Sequence, residues 1–373
     1  MTAAPAPEAT PAVSTEVTNK VQHKKMDPPA IWFRLDNQIK SKDPANAKKL
    51  NGFVMGSEVD VLFSGQVHEY VAWQADFVGT FGNAVKAGDE ANQKITGQAA
   101  ILDLIGKFQL HDAFNVWVGR MLVPSDRSNF SGPWFMSAWN YPGFYNAAAL
   151  GGAPLGPRQG PFGRNDGATV WGQFLGGHVK YYAGAFDLHS LGEKALYSGR
   201  LNFTLLNPEP GYYHSSTYYG GKDIVALGLM GQYKKDGSAL PMPALPDPTF
   251  VAMSENYSMI GADLLAEKKL GDAGTATVEG AFYKFNGKYE PAKNGFYALA
   301  SYLIPVEVGI GRFQPLVRLQ QAKSQTDKTW RLIDAAVSYV VDEYAMRIAL
   351  NYQNADIEGV KANAVTVGIQ IQK

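Results

Sequence analysis

From residue 31 to the last residue, apolar and polar side chains alternate in runs of about ten residues. In Tyr344–Gln353, for example, one set of alternate positions holds Tyr, Met, Ile and Leu, and the other holds Ala, Arg, Asn and Gln. Successive side chains of a β-strand point to opposite faces, so each run predicts a strand with one apolar and one polar face. Counting these runs gives about sixteen strands.

Strand length decides what kind of β-fold these runs can form. Strands of ~9–11 residues with this alternation suit a membrane barrel, which places apolar side chains against lipid and polar ones inside. Gly 39, Tyr 19 and Phe 19 are high and charged residues make up only 18 % of the chain, which favours strands over helices. We therefore predict an all-β transmembrane antiparallel barrel of about sixteen strands over residues 30–373. A soluble β-sandwich is the alternative, although its strands are usually only ~5–6 residues long.

Residues 1–29 have a different composition from the rest of the chain. They are rich in Ala, Pro, Thr and Glu and then in Lys around residues 20–25, which cannot bury enough apolar surface to fold alone. We predict a flexible periplasmic tail. The segment also lacks a basic stretch followed by an apolar core, so we expect an exported form to have lost its signal peptide already.

The connections between the predicted strands differ in length. The short ones are Ser64–Gly65, Gly176–Gly177, Gly271–Gly274 and Val341–Asp342, and the long ones are Thr80–Lys94, Val123–Gly167, Asn207–Gly221 and Gly237–Glu255. Outer-membrane barrels have short turns on one rim and long loops on the other. An even number of strands would place both termini on the rim with the short turns, which is the periplasmic side.

The connection Val123–Gly167 stands out by composition. It holds eight Gly, six Pro and eight aromatic residues but only five charges, and a disordered loop would not carry so many aromatics. Loops longer than about 15 residues are uncommon unless they are functional or disordered. We expect this third loop to be ordered and folded inward as a constriction, with a self-packed surface loop as the alternative.

Two segments around this connection resemble Gram-negative outer-membrane porins, particularly the phosphate-selective O/P-type group. They are Trp117–Pro133, which reads WVGRMLVPSDRSNFSGP, and Val170–Asp187, which reads VWGQFLGGHVKYYAGAFD. The resemblance implies a homotrimeric channel in the bacterial outer membrane, in contact with membrane lipid and lipopolysaccharide. It also implies that the third loop narrows the lumen.

Solute selection in such a channel depends on the charges that face the lumen or lie on the inserted loop. Arginines are the strongest candidates because guanidinium stays charged and can bind carboxylate or phosphate. The candidates on the loop or at its root are Arg120, Asp126, Arg127, Arg158, Arg164 and Asp166. Those on the wall are Arg34, Arg200, Arg312, Arg318 and Arg347, with Lys180 and Arg331 as further cations and Glu58, Asp60 and Asp76 as opposing acids. The alternative for each arginine is a solvated or structurally paired side chain.

Other function classes find little support in the sequence. Lys plus Arg equals Asp plus Glu at 34 each, which gives no general attraction to nucleic acid. The chain has no cysteine, no hydrolase or nucleotide-binding motif and no cofactor signature. The only pair of histidines worth testing as metal ligands is His178 with His189.

We therefore expect a channel for passive diffusion of small hydrophilic solutes and ions, with a preference for anions, and not an enzyme. Two alternatives remain. One is a barrel that acts as a sleeve or scaffold for an envelope partner such as a cytochrome or lipoprotein. The other is an outer-membrane hydrolase.

Overall fold

The computed structural model describes residues 26–41, 50–84, 94–142, 157–187, 194–239 and 254–373. Within them the chain forms sixteen antiparallel strands and one short α-helix, α1 (Arg127–Ser131). The strands are β1 (Ala30–Ser41), β2 (Leu50–His68), β3 (Val71–Ala84), β4 (Lys94–His111), β5 (Phe114–Leu122), β6 (Arg164–Phe174), β7 (Val179–Asp187), β8 (Leu196–Leu206), β9 (Ile224–Ala239), β10 (Ser254–Lys269), β11 (Thr275–Asn286), β12 (Ala292–Leu303), β13 (Arg312–Ser324), β14 (Thr329–Asp342), β15 (Met346–Ile357) and β16 (Val360–Gln372). None of the described helices is long and apolar enough to cross a membrane.

Each strand pairs with its neighbours in the sequence, and β1 pairs with β16 to close the barrel. The backbone N–H of Ile31 donates to the carbonyl oxygen of Lys373 at 2.9 Å, so both ends of the barrel sequence lie at one rim. We call this the terminus rim, and the opposite one the loop rim. The prediction of a closed antiparallel barrel of sixteen strands is confirmed. The proposed tail at residues 1–29 falls mostly outside the described residues.

The alternation in sequence becomes an alternation of exposure around the wall. In β11, Val278 and Phe282 point outward and are each 50 % exposed, whereas the inward Glu279 and Tyr283 are 4 % and 0 % exposed. Apolar side chains are therefore outside and polar ones inside, the reverse of a soluble protein. This outward apolar surface suits hydrocarbon.

Two connections enter the barrel instead of remaining at its rims. The first, residues 123–163, follows β5 at the loop rim. Its part up to residue 142 is largely buried, and its part from residue 157 is partly buried. Its end lies earlier than the predicted Gly167, because Arg164 and Gly167 already pair with Leu122 and Gly119 of β5. We call it the loop-rim segment. The prediction that the third loop folds inward is confirmed.

The second connection, residues 207–223, joins β8 to β9. An even-numbered strand ends at the terminus rim, so the grouping of Asn207–Gly221 with long loops of the other rim is wrong. Most of its side chains between Glu209 and Tyr219 are buried inside the barrel. We call it the terminus-rim segment. The remaining described turns on this rim are shorter, such as Glu69–Tyr70 between β2 and β3.

Candidate pore constriction

The helix α1 of the loop-rim segment lies against the inner wall formed by β10, β11 and β12. Asp126 accepts a hydrogen bond from the Tyr283 hydroxyl at 2.5 Å, and the Arg127 backbone N–H donates to Asp263 at 3.0 Å. The hydroxyls of Ser128 and Tyr297 lie 2.8 Å apart. The polar groups at the start of this short helix are therefore satisfied by the wall, which holds the helix inside the barrel.

Arginines of the wall bind the following stretch, residues 133–141, through its backbone carbonyls. The Arg347 Nη1 donates to the Met136 carbonyl at 2.6 Å, and the Arg318 Nη1 donates to the Asn140 carbonyl at 2.8 Å. Arg34 reaches the carbonyl of Trp139 in the same way. These guanidinium groups point inward as predicted, but their donors are used to hold the segment across the lumen.

Tryptophans complete the attachment of this stretch. The indole N–H of Trp134 donates to Asp60 on β2 at 2.8 Å, and that of Trp139 donates to Asp36 on β1. The Trp139 ring lies directly on the Cα of Gly368 of β16, where any side chain would collide with it. The loop-rim segment is thus attached to strands on both sides of the barrel closure.

The terminus-rim segment meets the loop-rim segment at a buried ion pair. Arg127 contacts Glu209 with both nitrogens of its fork, at 2.7 and 2.8 Å, and its Nη1 also donates to the Ser215 carbonyl at 2.7 Å. The side chains of Arg127 and Glu209 are 0 % and 1 % exposed. Such a bidentate pair fixes both partners in position.

The wall also binds the terminus-rim segment directly. Glu267 of β10 accepts hydrogen bonds from the Thr217 hydroxyl at 2.7 Å and from the backbone N–H groups of Tyr218 and Gly220 at 3.0 and 2.9 Å. On the other side Tyr212 stacks on Trp117 of β5, with ring centroids 4.2 Å apart. The segment therefore spans the lumen between opposite parts of the wall.

Burial changes the ionisation of groups on the two segments. Burial alone would lower the pKa of Arg127, but the charge of Glu209 raises it above its usual value. Burial alone would raise the pKa of Glu209, but Arg127 holds it well below its usual range. The pKa of His214 is well below its usual value because burial and the nearby Lys180 both disfavour its charged form. The centre therefore holds an ionised pair beside a neutral histidine at pH 7.

Two other predicted cations of this region are also paired. Arg200 of β8 donates to Asp263 of β10 at 2.8 Å, and both side chains are 0 % exposed. Arg158 pairs with Glu290 at 2.7 Å and remains 27 % exposed near the loop rim. Lys180 is fully buried and donates to the Gly211 carbonyl at 3.1 Å. None of these three provides a free cation in a water-filled eyelet.

Acidic side chains gather on the inner face of β2, β3 and β4. Glu58, Asp60, Asp76 and Asp103 lie there, and Asp76 is directly opposite Asp103 in the sheet register. Arg164 pairs with Asp103 at 3.3 Å. One carboxylate oxygen each of Asp60 and Asp76 is buried without a hydrogen-bond partner in the described chain. We call these four residues the acidic wall.

Arg120 and Asp166 do not face the lumen, and their placement there was wrong. Arg120 is opposite Leu104 in the register, and Leu104 is 54 % exposed on the outer face. In β5, Trp117 and Met121 point inward. Successive side chains of a strand point to opposite faces, so Arg120, which directly precedes Met121, points outward. Arg120 pairs with Asp166 at 3.4 Å on that outer face. Arg331, another possible lumen cation, is also exposed on the outside.

The remaining predictions concern Arg312 and the histidine pair His178 and His189. Arg312 lies inward near the terminus rim and is half-buried, beside Glu343. The ring of His178 contacts the Thr204 carbonyl at 2.8 Å, and His189 lies outside the described residues. Within the described ranges no group of three His, Asp or Glu side chains could hold a metal ion.

Sequence reasoning missed the terminus-rim segment as a component of the site. Its signal was present in the run YYHSSTYY at residues 212–219, which places four tyrosines in a connection that was otherwise read as an ordinary loop. Sequence reasoning also missed the carbonyl groups of residues 133–141 as partners of the arginines. Backbone acceptors in an irregular segment cannot be identified from the sequence, because every residue carries a carbonyl group.

A closed barrel of sixteen strands with a loop folded into its lumen defines the fold as porin-type. No protein-family model matches the chain, and no curated protein matches it in sequence. Similar solved structures include Pseudomonas putida OprB (TM-score 0.61, 12 % identity, 93 % of this chain and 94 % of that one). Salmonella typhi OmpF in complex with daunomycin is also similar (TM-score 0.59, 9 % identity, 94 % of this chain and 98 % of that one). So is an anion-selective porin from Comamonas acidovorans (TM-score 0.57, 13 % identity, 94 % of this chain and 100 % of that one).

Proposed function

We propose that this protein is an outer-membrane channel for the passive diffusion of small hydrophilic solutes and ions, without catalysis. The observation that carries the proposal is the reversed polarity of a closed barrel: apolar outside, charged inside, with a chain segment drawn across the lumen. Lipid and lipopolysaccharide would surround the outer face. The described inward side chains that retain partial exposure include Asp36, Gln38 and Glu58, so we place the solute path beside β1 and β2.

Planar-bilayer recording of the purified, detergent-solubilised protein tests this function. We expect discrete conductance steps, and swelling of protein-containing liposomes in small sugars. A protein that inserts into bilayers but gives neither signal would contradict the proposal. It would instead favour the sleeve alternative, which predicts little conductance from the isolated chain.

The filled interior argues against a sleeve. The two inserted segments already occupy the side of the lumen next to α1, where Phe130 packs against Tyr182 and Tyr212. A partner polypeptide would have to displace the buried pair of Arg127 and Glu209, and separating buried opposite charges is costly. A small solute needs no such displacement.

We also propose a homotrimer. A structure of Vibrio cholerae OmpT described as a trimer form is among the similar folds (TM-score 0.55, 12 % identity), and the porin resemblance of the sequence points the same way. Native electrophoresis of unheated and heated samples tests this. A species of trimer mass that dissociates on heating would support the proposal, and a monomer in several mild detergents would contradict it.

We further propose an ion preference for the channel. The charges that face the lumen favour cations, not the anions suggested by the sequence. Arg34, Arg318 and Arg347 are engaged by the loop-rim segment. Glu58 makes no ion pair within the described chain and is partly exposed, unlike the buried Asp60 and Asp76, so it is the carboxylate that carries the argument. Unpaired charge of one sign in a narrow, low-dielectric passage raises the local concentration of ions of the opposite sign.

Reversal potentials in a salt gradient test this preference. We expect the wild type to favour potassium over chloride, and Glu58→Gln to reduce that ratio. Glu307→Gln is the matched control, because Glu307 is exposed in the β12–β13 connection away from the acidic wall. A wild type that favours chloride would overturn the cation preference and restore the arginine-based expectation. The preference should weaken at high salt because fixed charges are then screened.

A further inference from the structure

The terminus-rim segment fills lumen space that a short turn would leave open. Its ends lie side by side: Leu206 pairs with Ile224 in the β8–β9 register, and the Asn207 side-chain amide donates to the Asp223 carbonyl at 2.9 Å. Adjacent antiparallel strands need only a two-residue hairpin turn to be joined. The long inward excursion is therefore not required to connect β8 with β9.

The contacts of this segment show where it lies. It touches the wall beside β6 and β7, where the Gly211 N–H donates to Gln173 at 2.9 Å and the Tyr182 hydroxyl donates to the Tyr212 carbonyl at 2.9 Å. It also reaches the opposite side, where the Tyr344 hydroxyl donates to the Thr217 carbonyl. The segment crosses the lumen from one part of the wall to another.

The segment is also joined to the loop-rim segment along its length. The Ser216 N–H donates to the Phe135 carbonyl and the Ser137 hydroxyl to the Ser216 carbonyl, both at 3.0 Å. Together with the pair of Arg127 and Glu209, these bonds make the two segments one partition. The loop-rim segment forms one half of this partition and enters from the loop rim. The terminus-rim segment forms the other half and enters from the terminus rim.

We propose that residues 207–223 are a size-limiting element of the channel, which excludes larger solutes by completing the constriction begun by the loop-rim segment. This inference rests on the proposed channel function. It assigns solute size selection to a connection on the terminus rim as well as to the third loop. The side chains of the tyrosines at 212, 213, 218 and 219 fill most of the lumen volume that the segment closes to solutes.

The barrel should tolerate loss of this segment. Several wall side chains that contact it are polar, including Lys180, Glu267 and Gln173, and polar side chains on an inner barrel face can be solvated by lumen water. The strand pairing of β8 and β9 does not depend on it. A shortened variant is therefore a realistic test.

The first experiment replaces residues 208–222 with a two-residue Asn-Gly turn in the full chain and also introduces Arg127→Met, so that the loss of Glu209 leaves no unpaired buried charge. We expect a severalfold rise in single-channel conductance and entry of larger neutral polyethylene glycols than the wild type admits. The matched control shortens the β12–β13 connection at residues 304–311 on the same rim, whose Val306 and Ile310 are 63 % and 73 % exposed. That control should keep the conductance and polymer limit of the wild type.

A second variant keeps the segment length in case the shortened protein does not fold. Tyr212→Ala combined with Tyr213→Ala trims the bulk and should raise the polymer limit by a smaller amount. A folded shortened variant or trimmed variant with the conductance and polymer limit of the wild type would overturn the inference.

The outcomes also separate this inference from the proposed function. If neither the wild type nor the shortened variant conducts, the channel function fails and the inference fails with it. If the wild type conducts and the shortened variant is unchanged, only the inference fails. If the wild type is silent and the shortened variant conducts, the inference is supported and an open native channel is excluded.

Discussion

Residues 136–140 of the loop-rim segment and residues 217–220 of the terminus-rim segment are held by opposite chemistry. Wall arginines donate to the backbone carbonyls of the loop-rim segment, as Arg347 and Arg318 do at residues 136 and 140. A wall carboxylate, Glu267, accepts from the backbone N–H groups of the terminus-rim segment. The segments then join through Arg127 and Glu209. The comparison teaches that many lumen charges serve to satisfy irregular backbone, which has no strand partner of its own.

An inward arginine can be a selectivity residue only if its donors are free to meet a solute. Here a guanidinium group that donates hydrogen bonds to loop carbonyls keeps its charge, but its position and hydrogen bonds are fixed by the protein. We therefore look for selectivity in inward charges that lack such partners, and on this wall those are acidic.

Breaking the junction between the two segments should have the largest effect. Arg127→Met leaves Glu209 buried without its partner, and removing one member of a buried pair costs ~3–5 kcal/mol. We expect a large fall in the free energy of unfolding, measured by urea titration in lipid vesicles. Arg127→Met combined with Glu209→Met should recover most of the loss, because no unpaired charge then remains. A double variant as unstable as the single one would show that the pair is not the junction.

The attachment of the loop-rim segment to β16 can be tested separately. Gly368→Leu places a side chain where the Trp139 ring lies, and overpacking of this kind costs about 1–3 kcal/mol. We expect a lower melting temperature and a changed tryptophan fluorescence spectrum. Gly231→Ala is the control, since a Cβ there meets its nearest neighbour at an ordinary 3.7 Å. An unchanged spectrum in Gly368→Leu would mean that Trp139 is not held against β16.

Acid should remove stabilisation by two groups of the terminus-rim segment in turn, first His214 and then Glu209. The pKa of His214 is depressed in the folded chain from a usual value of 6.5, so the unfolded chain binds more protons below that pH. The contribution of His214 to the free energy of unfolding therefore falls as pH drops below about 6.5, by at most ~1.4 kcal/mol per pH unit. The depressed pKa of Glu209 adds a further loss below its usual value of 4.5.

Melting temperatures measured from pH 7.5 to pH 4 test this dependence. His214→Gln should remove the part of the slope that begins near pH 6.5 and leave the part that begins near pH 4.5. If the variant and the wild type have the same slope between pH 6.5 and pH 5, His214 does not titrate with unfolding. The wild type should also show larger conductance steps at low pH if the weakened segment leaves the lumen.

The sequence was sufficient for the barrel and for one of its two inner segments. Strand number and closure follow from local alternation, and the composition of residues 123–167 is unusual enough to predict an ordered inward loop. The direction taken by residues 207–223 could not be read in the same way. It depends on a contact between Glu209 and Arg127, residues distant in sequence, and on a wall carboxylate that happens to face it.

The roles of the arginines were predictable only in part. Inward parity correctly placed Arg34, Arg200, Arg318 and Arg347, because alternation is a property of each strand alone. Their partners were not predictable, since these depend on how a long segment crosses the lumen. Arg120 was misplaced by the same parity argument, because it was assigned to the inward face of β5, which Trp117 and Met121 occupy.

Arg120 and Asp166 provide the smallest and sharpest test of the comparison between structural and selective charge. Their side chains are 24 % and 47 % exposed on the outer face, and an exposed pair contributes at most about 1 kcal/mol. Arg120→Ala should therefore leave the reversal potential unchanged and lower the melting temperature only slightly. Glu58→Gln, on the acidic wall, should shift the reversal potential instead. Arg120→Ala removes a positive charge and Glu58→Gln a negative one. A shift in Arg120→Ala as large as that in Glu58→Gln but opposite in direction would therefore mean that the side of the wall does not matter. Selectivity would then depend on net charge, and the distinction between engaged arginines and free carboxylates would lose its meaning.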